Sequence, residues 1–381
     1  MMTVWEFIGS PWLLAVLACG PLVMTGLNAF AWPRGSQGRF SGSVSVCIPA
    51  RDEEANIERC VRAVANADYP VQEIIVLDDG STDDTPGILA ALTQEYSHLR
   101  IIEGRPLAEG WVGKVHACQQ LAEEANGEWL VFIDADTTLH VGGIGRLAGT
   151  VNRTKSRAIS SVPRQEMKSF GEQLLIPLLH LTYTSWLFMP LVWLTNDARF
   201  LAANGQLVAL EAKALQEAGG FTSIRHEVVD DMALFRRLKD AGIRVAFADG
   251  HHMATTRMYT SGREVWDGFS KNMYEGIGGH LLALIVVIAM YTTPFVLPYL
   301  GLVLSMVWPA LLWPSVVGVV ANLMLRLHLA IRHQQPWHGV LLHPFGVIMM
   351  MALAINSWRW SFRGNITWRG RTYVAKADRG L

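Results

Sequence analysis

Charge is what this sequence is short of. Asp, Glu, Lys and Arg make up 17% of its 381 residues, against ~25% in an ordinary soluble domain. The shortage is local: four stretches, Phe7–Pro33, Gln173–Asn196, Gly276–Leu325 and His333–Trp358, hold none of these residues. The 254 residues outside them carry all 65 charges, an ordinary soluble density. A wholly soluble protein, a disordered chain and an all-helical transporter are thereby excluded. Cysteine is scarce too. Cys19, Cys47, Cys60 and Cys118 form no CxxC pair, so they are expected to be reduced packing residues rather than a disulfide framework. Adjacent His251-His252 has no Cys or helical Glu partner, which leaves no zinc pattern. Internal repeats and low-complexity segments are missing. The net charge of −1 and the lack of an aromatic-plus-basic motif exclude a nucleic-acid partner.

The charge-free stretches predict membrane segments. Phe7–Pro33 follows no Lys or Arg and is longer than a signal-peptide core, so residues 1–33 are expected to be a transmembrane anchor. Arg34 and Arg39 then place the following domain in the cytoplasm. Gly276–Leu325 is long enough for two crossings of ~20 residues, and His333–Trp358 for one more. Residues 276–358 are therefore expected to hold C-terminal transmembrane helices, broken at Pro294, Pro298, Pro309 and Pro314. Residues 359–381 form a basic tail with Arg359, Arg363, Arg369, Arg371, Lys376 and Arg379 against Asp378. Three crossings would put that tail outside, against the positive-inside rule, so a cytosolic tail is expected and the crossing count stays open. A multi-pass protein of the inner (plasma) membrane is implied.

Residues 40–275 read as an α/β domain. Apolar strands at Val44–Ile48, Glu73–Leu77, Leu99–Ile102 and Glu128–Ile133 alternate with helices at Glu53–Ala65, Thr82–Glu95 and Lys114–Ala125. That alternation predicts a doubly wound, mostly parallel sheet. Ligands bind beyond the carboxyl ends of such strands, and polar clusters at 49–53, 78–80 and 134–136 sit there.

Their chemistry points to a charged nucleotide. Asp134-Ala135-Asp136 offers two hard carboxylates at one strand end, suited to Mg²⁺ or Mn²⁺; a capping pair would explain a bare DxD equally. One carboxylate of Asp78-Asp79-Gly80-Ser81 is placed to accept from a nucleobase N–H, and Pro49-Ala50-Arg51-Asp52-Glu53 supplies Arg51 and Glu53 to the same nucleotide. Gly113-Lys114 opens a helix whose N–H groups and cation suit phosphate. Asp230-Asp231, ahead of a helix, is a candidate general base whose paired charges would raise one pKa; simple helix capping is the alternative.

Together with Gly219-Gly220-Phe221 and Asp230-Asp231-Met232-Ala233-Leu234, these motifs resemble the inverting family 2 glycosyltransferases of the GT-A fold, in the family's order over residues 43–250. The resemblance implies that Asp79 (or Asp78) contacts the base of a nucleotide sugar, with Pro49, Ala50, Arg51, Glu53 and Lys114 also on the donor. It assigns a metal to Asp136 with Asp134, and the base to Asp231. Asp230 stands where the family has Glu. The Gln-x-x-Arg-Trp motif of processive members is replaced by a segment ending in Arg263-Glu264-Val265-Trp266, whose Arg263 and Trp266 are expected at the diphosphate and the acceptor. This disfavours a product-threading polysaccharide synthase. Gly110–Lys114, Trp266–Tyr274 and Trp368–Tyr373 look closer to membrane glycosyltransferases of hopanoid and carotenoid pathways.

The implied activity is inverting transfer from a UDP-sugar to a lipid hydroxyl, with a divalent metal and a cytoplasmic catalytic domain. The alternatives are a polysaccharide synthase and a non-catalytic membrane scaffold. Gln173–Asn196 lies between the donor motifs and the base, so one crossing there would separate them across the bilayer. An interfacial or re-entrant helical segment presenting the acceptor is expected; a buried core hairpin is the other reading.

Overall fold

The computed structural model describes residues 10–363 and the backbone of 366–368 and 371–373. The start of the expected anchor and the basic tail's Arg369, Lys376 and Arg379 lie outside the described residues. The chain forms two compact units: an α/β unit of Ala31–Glu166 and Met189–Met258, and a helical unit of Met1–Phe30, Met167–Phe188 and Tyr259–Leu381.

The α/β unit is built on eight strands: β1 (Val44–Ala50), β2 (Glu73–Asp78), β3 (Leu99–Glu103), β4 (Trp129–Ile133), β5 (Thr137–Leu139), β6 (Ala158–Gln165), β7 (Leu207–Glu211) and β8 (Val245–Thr256). They form one sheet in the order β3-β2-β1-β4-β7-β6-β8-β5. The first half is parallel, as its continuous apolar runs predict: every residue of β4 and the central four of β2 are buried. Helix Ile57–Ala65 lays Ile57, Cys60, Val61 and Val64 on this half, the three-four spacing of an amphipathic stripe. The second half is mixed. β7 runs antiparallel to β4 and β6, β6 and β8 are parallel, and β5 closes the edge antiparallel to β8. All four cysteines are free thiols.

This arrangement collects strand ends. β1 ends at Ala50 opposite Asp78, and antiparallel β7 starts at Leu207 opposite Ile133. The segment entering β7 therefore crosses the mouth of β4, where the Asp134 N–H donates to the Gln206 carbonyl at 3.1 Å. That segment is held from behind by Lys239, 2% exposed, whose ammonium donates to the carbonyls of Thr195 (3.0 Å), Asp197 (3.2 Å) and Phe200 (2.6 Å). Lys239→Ala strands three carbonyls, and its expected cost is roughly 2–3 kcal/mol. Hydrogen exchange should rise across residues 195–206 and stay unchanged in β1, β2 and β4.

Among the described residues, two helices of the helical unit are long and apolar enough to cross a membrane: Trp12–Ala31, of 20 residues, and Pro309–Arg332, of 24. Helices Gly262–Gly276 and Leu281–Phe295 meet at a bend of 115°. Three of the four expected prolines lie near helix boundaries: Pro294 is in the last turn of Leu281–Phe295, Pro298 opens Leu297–Leu304, and Pro309 opens the second long element; Pro314 instead lies in the first turn of Leu312–Arg332 and breaks nothing. Gly262–Gly276 runs against His343–Phe362 through hydrogen bonds from the Tyr274 N–H to Ser357 Oγ (2.8 Å) and from Ser361 Oγ to Glu275 (2.8 Å). Residues 259–275, expected in the α/β domain, therefore belong with the helices.

The stretch Gln173–Asn196 is divided. Helices Phe170–Leu175 and Leu178–Trp186 belong to the helical unit, and the four-residue Leu191–Leu194 to the α/β unit. Pro177 and Pro190 sit at the starts of the last two, so no helix here is long enough to cross a bilayer. Asn28, on Trp12–Ala31, donates to the carbonyls of Thr184 (2.9 Å) and Leu187 (2.7 Å), which fastens the first long helix to this segment.

Candidate active site

The carboxyl ends of β1 and β2 make a tight double turn. Asp52 and Gly80 both adopt left-handed backbone, φ 52° and 69°. The Asp52 carboxylate accepts from the Thr82 N–H at 2.7 Å, and the Asp79 N–H donates to the Ala50 carbonyl at 2.8 Å. Asp78 is absorbed by the turn, accepting from the Ser81 N–H (3.1 Å) and hydroxyl (2.5 Å). Asp79 is the adjacent buried carboxylate, with Arg51 Nη1 donating to its carbonyl at 2.6 Å and lying 3.9 Å from its Oδ2. Of the two acids left open by the sequence, Asp78 has a structural use within the turn. Glu53, also buried, accepts from the Asn56 amide at 2.9 Å.

Beside this turn, at the end of β4, lies a cavity lined by Pro49, Lys114, Asp134, Gly205, Asp230 and Asp231, with Cys118, Phe132 and Phe221 among its apolar walls. Two helices start here, Gly113–Glu124 and Asp230–Asp240. Their N-terminal N–H groups favour negative charge. Lys114 Nζ pairs with Asp134 Oδ1 at 2.6 Å. Burial alone would lower the Lys114 pKa, but Asp134 and Asp230 carry it well above the ordinary value. The ammonium is firmly charged.

The acids pay the opposite penalty. Burial, then the neighbouring Asp230, push Asp231 up to about 7, against the lowering effects of the Met232 N–H (2.7 Å) and Lys114. Asp136 is likewise pushed up to about 7 by burial and by Asp134 and Glu53. Its Oδ1 accepts from the hydroxyls of Thr137 and Thr256, each at 3.2 Å. The sequence-derived set Pro49, Lys114, Asp134, Asp230 and Asp231 thus meets in one cavity. Ala50, Arg51, Glu53, Asp78 and Asp79 occupy the double turn, and Asp136 stands within electrostatic reach of both Asp134 and Glu53. Arg263 and Trp266 are not among the lining residues. They lie on Gly262–Gly276 of the helical unit, where the Arg263 side chain is 92% exposed and 3.9 Å from Asp267.

Two contributors escape sequence reasoning. Gly205 brings bare backbone to the cavity: a Cβ there would sit 3.4 Å from Lys114 Nζ and 3.6 Å from Asp231 Cβ. Thr256 reaches Asp136 because β5 pairs Thr137 with Thr256. Asn204-Gly205 carries an ordinary turn signal, which is the only hint available; Thr256 carries none.

A family model described as glycosyl transferase family 2 matches residues 45–202. A second, described as glycosyl transferase family group 2, matches residues 129–360, more than half of the chain. The chain belongs to the family 2 glycosyltransferases. This glycosyltransferase is 25% identical over 339 residues to the 4,4'-diaponeurosporenoate glycosyltransferase of Staphylococcus aureus strain MRSA252, covering 87% of its own length and 88% of the relative's. The same-named protein of strain USA300 is 24% identical over 339 residues. Among solved structures, the glycosyltransferase is similar to mannosyltransferase PcManGT from Pyrobaculum calidifontis, solved with GDP-Man and Mn²⁺. The TM-score is 0.56 at 16% identity, over 92% of this chain and 99% of that one. The fold is GT-A, with the curled mixed sheet described above and helices long enough for a membrane.

Proposed function

We propose that this glycosyltransferase moves a sugar from a nucleotide sugar, in the first instance a UDP-sugar, to a lipid acceptor with inversion at the anomeric carbon. The observation that carries the reading is Asp231. It is a carboxylate brought to about 7 in a cavity shared with Lys114 and Asp134, the value a general base needs at neutral pH. The acceptor hydroxyl gives its proton to Asp231 as its oxygen attacks the anomeric carbon and the bond to the diphosphate breaks. Lys114 and the N–H groups opening Gly113–Glu124 face the charge that develops on that leaving group. In the double turn, Asp79 and Arg51 hold the nucleoside end of the donor, with Pro49, Ala50 and Glu53 shaping that pocket.

Asp134 and Asp136 would hold a divalent cation, which when bound neutralises diphosphate charge. Among the described residues no three His, Cys, Asp or Glu side chains already converge. A cation held by two carboxylates draws the rest of its shell from phosphate and water, which suits Mg²⁺ or Mn²⁺. The relative's name, a glycosyltransferase acting on 4,4'-diaponeurosporenoate, supports a carotenoid-type acceptor, and the long apolar helices support membrane association. A hopanoid-type acceptor and a multi-pass inner-membrane protein with a cytoplasmic active site complete the proposal.

Purified full-length protein should hydrolyse its preferred nucleotide sugar slowly, and should glycosylate a polyisoprenoid-derived lipid detected by mass spectrometry. Absence of both nucleotide binding and turnover across UDP- and GDP-sugars would leave a scaffold instead. Asp230→Asn removes a like charge from beside Asp231, so its pKa falls. The acid limb of the pH–rate profile should move to lower pH than in wild type, while the rate on the plateau drops because the weaker base is less effective.

A further inference from the structure

The helical unit buries a cation. Arg326 lies in Leu312–Arg332, on the face that also buries Gly318, Asn322, Leu325 and Leu329, and is 1% exposed. Its Nη1 donates to Gln335 Oε1 at a long 3.4 Å, and its Nε is buried with no hydrogen-bond partner. Among the described residues it forms no ion pair. The surroundings repeat the pattern. The Tyr299 hydroxyl and both ring nitrogens of His343, itself 1% exposed, are buried without partners, and both residues lie close enough to feel the guanidinium charge. Gly339 packs closely beside the guanidinium: a Cβ at that position would stand 3.3 Å from the Gln173 carbonyl oxygen and 3.6 Å from Arg326 Nη2.

A guanidinium does not shed its proton to escape burial, and an unpaired charge inside a membrane-length helix is among the costliest placements available. The donors that remain open are the guanidinium Nε, a phenol and an imidazole, with no acid among them. That set complements a monoanion with two or more acceptor oxygens, whose hydrogen bond from a guanidinium is charge-assisted. Because the site is embedded in apolar helices, the anion must arrive on an apolar chain.

We propose that Arg326, with Tyr299, His343 and Gln335, forms a binding site for the carboxylate or phosphate head of an anionic lipid. The site lies wholly within the helical unit and does not depend on the transfer reaction proposed above. The test uses full-length protein in a neutral maltoside detergent and three probes: oleate, dioleoylphosphatidylglycerol and uncharged dioleoylglycerol. The melting temperature should rise with an anionic probe and not with dioleoylglycerol. A response to oleate alone assigns a carboxylate, and one to phosphatidylglycerol assigns a phosphate. Arg326→Gln should weaken the apparent affinity about tenfold or more, and Tyr299→Phe, which removes one hydroxyl and keeps the fold, about threefold. Equal shifts with dioleoylglycerol, no shift with either anion, or wild-type affinity in Tyr299→Phe together with any Arg326→Gln protein that folds would overturn the proposal.

Discussion

Asp231→Asn should reduce transfer to a hydroxyl acceptor by about a thousandfold, the upper part of the range for a general base. The side chain keeps its size and its 2.7 Å bond from the Met232 N–H, so donor binding should change little and the loss should appear in kcat. Wild-type activity should climb with pH through about 7 as Asp231 loses its proton. The acceptor named for the Staphylococcus relative is a carboxylate, and a carboxylate, with a pKa near ~4, is already ionised at neutral pH and needs no base. Assayed side by side, a lipid alcohol and a lipid acid should separate: the variant fails on the alcohol and retains most of its rate on the acid. Equal loss on both would mean that Asp231 positions the donor rather than removing a proton. The same substitution has a stability signature. A carboxylate whose folded pKa is raised stabilises the fold most below its unfolded pKa of ~3.9, and that contribution is lost as pH rises through about 7. Asp231→Asn should therefore melt higher than wild type at pH 8, by about 2 °C, and show less advantage at pH 5.

How far the sequence carries the fold depends on what each strand must bury. β1, β2 and β4 are covered on both faces, so their apolar runs announce themselves, and the turns after them hold the acids. β6 and β8 do not. Ala158–Gln165 carries Ser160, Ser161 and Pro163, and Val245–Thr256 is interrupted by Asp249-Gly250-His251-His252, with a register shift after Pro163. Their polar atoms are satisfied by tertiary partners, such as Ser160 Oγ donating to the Asn204 carbonyl at 2.8 Å, which no local pattern encodes. Likewise the distinction between Asp78 and Asp79 rests on Ser81 folding back onto one of them. In the charge-free run Gly276–Leu325 the prolines place only some of the helix ends: Leu281–Phe295 begins after Gly278-Gly279, Leu297–Leu304 ends at Ser305, and Pro314 lies inside Leu312–Arg332.

Chelation should abolish transfer, Mn²⁺ or Mg²⁺ should restore it, and Asp136→Asn should leave about a hundredfold or greater deficit that added metal does not repair. The reason lies in the sign of the site. Glu53, Asp134, Asp136, Asp230 and Asp231 crowd around one cavity and its adjoining turn, and burial, followed by repulsion from these neighbours, raises the pKa values of Asp136 and Asp231. Lys114 is already paired with Asp134, and Arg51 is turned toward the Asp79 carbonyl. A nucleoside diphosphate, itself an anion, meets net repulsion here unless a dication intervenes, so donor affinity should collapse along with rate. Isothermal titration distinguishes this from a purely chemical defect: nucleoside diphosphate binding should require metal in wild type and be lost in Asp136→Asn, whereas Asp231→Asn should bind it normally. Tight metal-free binding of the diphosphate would show that Lys114 and the two helix starts outweigh the five acids, and would remove the cation from the reading.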